Sequence, residues 1–295
     1  MLPNGLTVRA IETLLQTVLE TTVCHVETSA LGASSRETPW RVDAEIDGEP
    51  RSFLLRLGKG CSRNEAVALR GMADHPIPTP RLLHWDPDGD LLKTASFLSE
   101  WIPGEPLLAG LKAGEPWAEA LFIDTAVALQ SIRPEDLPPG TVDELDGGES
   151  AIDVLEAAYV RLPEPPDDLV EAAYGRLKGS FPAFPKVRFS NGDLWPENLL
   201  VKERELAGVI DWQHAGYTDP IYEFLLPFFL VPELRDRGIE ERYCRRMGYD
   251  PHLLGWYHGL EFFDALQWVS KTGRPYRMHT PDSLRADLTH WLARK

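Results

Sequence analysis

Apolar residues switch between helical and strand-like spacing along the first hundred positions. Every third or fourth residue is apolar across 7–20, which predicts an amphipathic helix. Two strand-like runs, 39–46 and 51–57, flank the turn sequence Asp-Gly-Glu-Pro and predict a hairpin. Residues 62–72 return to helical spacing, and residues 91–101 regain strand character. This part of the chain therefore predicts a small sheet with one or two helices.

Helical patterns dominate beyond the Ile-Pro-Gly sequence at residues 102–104. The clearest helix covers residues 117–132, and further helices are expected around 151–161 and 167–179. Between them, residues 133–150 are acidic and rich in Pro and Gly, which predicts a surface loop. We therefore expect a boundary between two lobes at or just before the Ile-Pro-Gly sequence.

The composition is that of a globular protein with an acidic surface. Hydrophobic residues make up 43% of the 295 residues, which is enough apolar material for a packed core. A chain of this length is expected to form two lobes with a crevice between them. The net charge of −16 argues against a nucleic-acid partner, because phosphate backbones require clustered Lys and Arg. It favours cationic partners, although an acidic surface also simply maintains solubility.

The cysteine spacing and the N-terminal sequence indicate the cellular compartment in which the protein is expected. Cys24, Cys61 and Cys244 are far apart and odd in number, which indicates neither a disulfide framework nor a zinc site. The first residues lack a basic stretch followed by an apolar run, and no long apolar window occurs. We therefore expect a cytoplasmic protein without a membrane partner.

Candidate ligand residues flank a predicted hairpin in the second half of the chain. Short apolar strands are predicted at residues 199–202 and 206–210. A hairpin that turns at residues 204–205 would place Asn198 opposite Asp211. Amide and carboxylate oxygens form the hard ligand set that Mg²⁺ accepts while it keeps waters and substrate phosphates.

Asp193 precedes Asn198 by five residues, on a glycine-containing loop. A carboxylate there can orient an attacking hydroxyl and accept its proton. Each residue alone has an ordinary alternative: Asp193 in a turn, Asn198 at a strand start and Asp211 as a helix cap. Their joint spacing favours the arrangement that protein-kinase-type enzymes use for phosphoryl transfer.

The sequences NGDLWPEN and VIDWQHAGYTDPIYEF resemble motifs of the aminoglycoside phosphotransferase family of small-molecule kinases. The resemblance implies an α+β, bilobal, protein-kinase-like fold. It implies a small N-terminal lobe built on an antiparallel sheet (residues 1–100), a hinge (101–104) and a larger, mainly helical C-terminal lobe (105–295).

The resemblance also assigns roles within these motifs. Asp193 would be the catalytic base, and Asn198 and Asp211 would be ligands of Mg²⁺. Asn191 stands where the family pattern has histidine. In the wider fold that residue supports the loop through hydrogen bonds, which an amide can also make. Asp219 matches a family position at the start of the following helix, where a capping role suffices.

The N-terminal lobe resembles the family more faintly. Ser34 and Ser35 lie where the family has its phosphate-covering loop, although an ordinary turn is the alternative. Arg56 occupies the strand position of a cation that contacts the α and β phosphates, and Glu65 in the next helix would orient it. Lys59 is the alternative cation. An unrelated strand arginine and helix glutamate would account for the same sequence.

The segment that contains Glu100 and Ile102 resembles the family's hinge. Backbone groups there would bind the adenine edge of ATP or the base of GTP. In the C-terminal helices, Glu261 and Asp264 stand among aromatic residues. They could form an aromatic, acidic wall for a cationic acceptor such as an aminoglycoside or an amino-alcohol. The alternative is a core helix with two acids on its wet side.

The predicted function is transfer of the terminal phosphoryl group of ATP or GTP to a hydroxyl of a small molecule, with Mg²⁺ as cofactor. A kinase acting on protein side chains is disfavoured, because no activation loop ending in Ala-Pro-Glu follows Asp211. The alternative from another class is a nucleotide-binding pseudokinase or regulatory protein without transfer activity, which Asn191 and the glycine-poor loop favour.

Overall fold

The chain forms two compact units, seen in a computed structural model that describes residues 2, 5–31, 39–146, 148–162 and 166–294. The first unit comprises Met1–Glu105, Pro134–Asp146 and Leu199–Ala215; the second comprises Pro106–Arg133, Gly147–Asn198 and Gly216–Lys295. Each unit is therefore assembled from separate stretches of sequence.

The described part of the chain alternates strands and helices at first and then becomes mainly helical. The strands are β1 (Val23–Ala30), β2 (Trp40–Ile46), β3 (Glu49–Leu57), β4 (Leu82–Asp86), β5 (Ser96–Glu100), β6 (Glu105–Pro106), β7 (Arg188–Ser190), β8 (Leu199–Lys202), β9 (Glu205–Val209) and β10 (Gly216–Thr218). The helices are α1 (Val8–Leu19), α2 (Arg63–Gly71), α3 (Leu108–Lys112), α4 (Pro116–Gln130), α5 (Thr141–Glu144), α6 (Ala151–Arg161), α7 (Asp168–Gly179), α8 (Pro220–Leu230), α9 (Ile239–Met247), α10 (Leu254–Thr272) and α11 (Pro281–Ala293). No helix within the described ranges is both long and apolar enough to cross a membrane.

A five-stranded antiparallel sheet forms the main layer of the first unit, in the order β1-β2-β3-β5-β4. Every second residue of β2 is buried, as is every second residue from Phe53 to Leu57 in β3. These side chains pack with Ile11, Leu14 and Leu15 of α1, so helix and sheet share one core. The predicted antiparallel sheet and its flanking helices are thus confirmed.

Two strands of this sheet, β1 and β4, were not predicted, and β5 is shorter than expected. A bulge after Cys24, where His25 adopts a positive φ of 51°, interrupts the alternation of β1. The strand predicted from residue 91 begins only at Ser96, because the side chain of Asp86 accepts hydrogen bonds from the backbone N–H groups of Gly89 and Leu91. These bonds hold the preceding residues in a turn.

The β8–β9 hairpin is present, but its register differs from the predicted one. Glu203 and Arg204 form the turn, with positive φ values of 55° and 69°. Leu199 pairs with Val209 instead of Ile210. The exact opposition of Asn198 and Asp211 inferred from the sequence was therefore wrong by one residue, because the turn occurs one position earlier and a bulge follows Leu200.

The segment 133–150 is more ordered than a surface loop. It contains a 3₁₀ turn at Pro134–Asp136 and the short helix α5. Thr141 is buried, and a Cβ at Gly71 of α2 would lie 2.6 Å from its methyl group. The acidic, Pro-rich composition concealed this contact, because the interaction depends on a distant glycine and not on local apolar spacing.

The second unit is held together by close contacts between long helices. In α10, Gly259 faces the indole of Trp291 on α11, and a Cβ at Gly259 would lie 2.3 Å from that ring. The indole N–H donates to the carbonyl oxygen of Gly255 at 2.7 Å. A Cβ at Gly255, by contrast, would meet nothing within 4 Å.

We expect Gly259→Ala to lower the free energy of unfolding by about 1–3 kcal/mol, because overpacking against the indole outweighs the better helix propensity of alanine. Gly255→Ala on the same helix is the matched control and should leave stability unchanged or slightly raised. Urea titration of both variants measures the difference. Equal stabilities would contradict the close contact between α10 and α11.

Candidate active site

The loop after β7 carries the residue expected to be the catalytic base. Asn191 is fully buried, and Gly192 adopts a positive φ of 76°, so the chain turns sharply before Asp193. The side-chain amide of Asn191 donates to the backbone carbonyl of Asp193 at 2.9 Å. The amide therefore supports the loop by a hydrogen bond, as expected for the residue at the family's histidine position.

The carbonyl oxygen of Asp193 accepts hydrogen bonds from three groups. Besides Asn191, they are the backbone N–H of Trp195 at 2.7 Å and the side-chain amide of Asn198 at 3.0 Å. The backbone N–H of Asn198 in turn donates to the carbonyl of Trp195 at 2.7 Å. The peptide that carries Asp193 is therefore fixed by donors on both sides of it in the sequence.

The carboxylate of Asp193 is also held in place. The amide nitrogen of Asn198 lies 3.0 Å from its Oδ2 atom, so one side chain contacts both the carbonyl and the carboxylate of the same residue. This pair of contacts restricts rotation of the Asp193 side chain. Such restriction is the arrangement required of a positioned base.

Glu223 on α8 supports the start of the same loop. Its carboxyl group accepts a hydrogen bond from Ser190 Oγ at 2.5 Å and lies near the Gln130 side chain and the backbone N–H of Gly192. Burial raises the pKa of Glu223 to about 7, and the nearby charge of Asp193 adds to the rise. Glu223 thus links the helix to the peptide directly before Asp193.

Asp219 caps α8, as the sequence suggested. Its side chain accepts from the backbone N–H groups of Ile221 and Tyr222 and from the hydroxyl of Tyr257 at 2.8 Å. Burial raises its pKa even though these three hydrogen bonds act in the opposite direction. The cap therefore also ties α8 to α10.

Within the first unit, Arg56 stands between two acids. Its Nε atom lies 3.3 Å from the carboxylate of Glu65 on α2, and its terminal nitrogen lies 3.9 Å from that of Asp211. Glu65 is only 3% exposed, and burial raises its pKa while Arg56 lowers it. The alternative cation, Lys59, is exposed in the turn after β3.

Asp211 follows β9 in the left-handed backbone conformation, with φ of 59°. The next residue, Trp212, is fully buried, and its indole N–H donates to the carbonyl of Val209 at 2.8 Å. The backbone of Trp212 also bonds to Glu65. Asn64, beside it on α2, donates to the carbonyl of Ala215 at 2.7 Å. Two consecutive residues of α2, Asn64 and Glu65, therefore contact the segment that follows Asp211.

Some of the expected nucleotide-binding residues lie in the part of the chain that the structure describes, and others do not. Ser34 and Ser35 lie outside the described residues. Glu100 ends β5 and accepts a hydrogen bond from Arg51 at 2.9 Å. Ile102 packs on Gly208 of β9, where an added Cβ would lie 2.3 Å from its Cδ1 atom. The hinge segment is thus fixed against the hairpin within the first unit.

Of the two acids of α10, Glu261 is buried and Asp264 is half-buried. Asp264 accepts from the Tyr222 hydroxyl at 3.1 Å and from Gln267 at 3.3 Å, and burial raises its pKa. Burial, followed by the charges of Glu261 and Asp264, raises the pKa of Tyr276 to about 12.

Glu223 and Asn64 were not predicted as site residues from the sequence. A signal existed for Glu223, because it is the one acid within the apolar sequence of α8 and such an acid must be buried. Asn64 carried no comparable signal. Its role depends on a segment about 150 residues further along the chain.

Comparisons with known proteins agree with this geometry. The family model described as "Phosphotransferase enzyme family" matches residues 44–257. A search among curated proteins found no significant match. A Ralstonia eutropha structure provisionally described as an aminoglycoside phosphotransferase is similar, with 13% identity, 97% of each chain covered and a TM-score of 0.74.

Two further solved structures share the fold. An aminoglycoside phosphotransferase crystallised with ADP and hygromycin B has 16% identity, 96% and 98% coverage and a TM-score of 0.66. A choline kinase from Streptococcus pneumoniae has 16% identity, 97% and 98% coverage and a TM-score of 0.58. The fold is therefore protein-kinase-like, and the chain belongs to the phosphotransferase enzyme family.

Proposed function

We propose that the protein transfers the terminal phosphoryl group of ATP or GTP to a hydroxyl group of a small molecule, with Asp193 as the base. The observation that carries this proposal is the anchoring of Asp193. Three donors fix its carbonyl oxygen, and the Asn198 amide contacts its carboxylate. A carboxylate held in this way orients the acceptor hydroxyl and receives its proton as the new bond to phosphorus forms.

Asn198 and Asp211 would hold the magnesium ion. The donor set fits, because an amide oxygen and a carboxylate are the hard oxygen ligands that Mg²⁺ accepts beside waters and phosphates. When bound, the ion would neutralise negative charge on the phosphates during transfer.

Arg56 would contact the nucleotide phosphates. Its pairing with Glu65, at 3.3 Å, keeps the guanidinium from rotating away, and only 16% of the Arg56 side chain is exposed. A planar guanidinium can bind phosphate oxygens in bidentate fashion. The hinge residues Glu100 and Ile102 would flank backbone groups that bind the base, while Ser34 and Ser35 would lie in the loop that covers the phosphates.

The acceptor would be cationic, such as an aminoglycoside or an amino-alcohol. Support comes from Asp264, a half-buried acid on α10 that accepts a hydrogen bond from the Tyr222 hydroxyl. The net charge of −16 attracts cations in general. Among the structures of similar fold, one is a complex with hygromycin B and another is a choline kinase.

A nucleotide-binding protein without transfer activity is the alternative. Asn191 favoured it at the level of sequence, because the family has histidine there. The amide of Asn191 nevertheless donates to the Asp193 carbonyl, which is a supporting role that histidine would otherwise fill. Turnover measurements decide between the two functions.

We expect the protein to hydrolyse or transfer the terminal phosphate of ATP or GTP in the presence of Mg²⁺ and a panel of amino-sugars and amino-alcohols. Asp193→Asn should lower turnover about 100- to 10,000-fold, because it removes the base but keeps the shape of the side chain. Nucleotide affinity, measured by calorimetry, should change little. Glu197→Gln, an exposed acid-to-amide change in the same loop, is the control.

Near-normal turnover of the Asp193→Asn variant would refute the assigned base. Nucleotide binding without turnover of any acceptor by the unaltered protein would support the alternative function. Equal losses in the Asp193 and Glu197 variants would indicate damage to the loop and not loss of a base.

We also expect Glu223 to make stability depend on pH. Its pKa is about 7 in the folded protein, above the ordinary 4.5, so the folded state binds the proton more tightly. The free energy of unfolding should therefore fall as pH rises from about 4.5 to about 7 and level off above that range. Urea titrations at several pH values should show this component in the unaltered protein and its absence in Glu223→Gln. A stability difference between the two proteins that does not change with pH would contradict the buried, protonated carboxyl.

A further inference from the structure

The second unit contains a cavity of about 770 Å³ apart from the catalytic loop. Side chains of α7, α8, α10 and α11 contribute to its walls, and none of the lining residues belongs to the loop 191–198 or is Tyr222, Asp264 or Tyr276. The volume is within the range of small-molecule sites. The exposed residues Asp236, His252 and His290 mark its opening to solvent.

Aromatic rings form much of the wall. They belong to Phe228, Phe229, Trp256, Phe262 and Trp291. The rings of Phe229 and Phe262 meet edge to face with centroids 5.8 Å apart, so this part of the wall is braced by packing. A ligand that fills the cavity must therefore present a mainly apolar body.

The hydrogen-bond donors of the buried wall already have protein partners. Arg176 donates to two carbonyl groups at the end of α11, at 2.7 and 2.9 Å, and Arg235 donates to carbonyl groups at the end of α8. The indole N–H groups of Trp256 and Trp291 donate to carbonyl oxygens at 3.0 and 2.7 Å. His258 is paired with a glutamate at 3.0 Å. These donor groups are therefore already bound to protein acceptors.

Glu261 is the exception on this wall. It is 3% exposed, and its Oε1 atom accepts no hydrogen bond from any residue that the structure describes. A buried oxygen without a donor is costly, and a donor brought by a ligand would remove that cost. The Oε1 atom of Glu261 therefore lacks a hydrogen-bond donor, and a ligand could bring one.

We propose that the cavity is a second ligand site, which binds a small molecule with an apolar, aromatic or branched body and one primary amine, and that the amine binds to Glu261. The amine supplies the donor that Glu261 lacks, and the body packs against the aromatic rings. The proposal is independent of the proposed function, because a ligand of this kind needs no hydroxyl.

Binding should be coupled to proton release. Burial, followed by the charge of Asp264, raises the pKa of Glu261 well above its usual range when no cation is near. An ammonium group stabilises the carboxylate, and the proton leaves to solvent. Calorimetry in two buffers with different ionisation enthalpies measures the number of protons released.

The test uses phenylbutylamine, without nucleotide, and compares it with phenylbutanol and phenylbutyrate, which have the same body. We expect the amine to bind at least tenfold more tightly than either and to release up to one proton. Glu261→Gln should weaken the amine at least tenfold and abolish proton release. Leu225→Trp, which fills the cavity, should weaken all three compounds. Thermal melts confirm that both variants are folded.

Asp193→Asn is the control that separates this site from the transfer reaction. It should abolish turnover and leave amine binding and proton release unchanged. Loss of amine binding in this variant would place the amine at the catalytic loop and overturn the second site. Equal affinity for amine and alcohol, unchanged binding to Glu261→Gln, or no binding of the amine to the unaltered protein would overturn it as well.

Discussion

The carbonyl oxygen of Asp193 is the point on which the catalytic loop depends. Hydrogen bonds from Asn191, Trp195 and Asn198 converge on it, at 2.7 to 3.0 Å. A positive φ at Gly192 lets the chain turn tightly enough for these donors to meet at one atom. The same Asn198 amide also contacts the Asp193 carboxylate, so the group that anchors the backbone also positions the side chain. In the proposed reaction that positioning is the main contribution of this loop, because phosphoryl transfer requires orientation and charge neutralisation more than covalent chemistry.

Burial gives the supporting acids a cost that only their partners offset. Glu65 is buried against Arg56, and Glu223 is buried beneath Ser190 and the Gly192 peptide. Buried charged pairs seldom stabilise a fold more than apolar residues of the same volume would. Their presence is better explained by the groups that they position. Arg56 is held where it can contact phosphate, and the peptide before Asp193 is held still.

The sequence predicted local structure and local chemistry well. The helical face of α1 and the alternation in β2 both arise from neighbouring residues, so periodicity found them. The candidate residues Asp193 and Asn198 contact each other, and Arg56 contacts both Glu65 and Asp211. The predictions that failed concerned contacts between distant parts of the chain or depended on single residues. The hairpin register shifted because the turn lies at Glu203 and Arg204. The role of Thr141 depends on a glycine 70 positions earlier in the chain, and the burial of Glu261 depends on helices that periodicity cannot place.

The most direct test of the account is a double-mutant cycle for Asn191 and Asp193, with phosphoryl-transfer turnover as the measured quantity. If Asn191 acts only by anchoring Asp193, Asn191→Ala should lower turnover about tenfold or more in the unaltered protein but have little further effect in the Asp193→Asn variant. The same fold loss from Asn191→Ala in both backgrounds would show that the two residues act independently. That result would contradict the anchoring of the base as the basis of the active site.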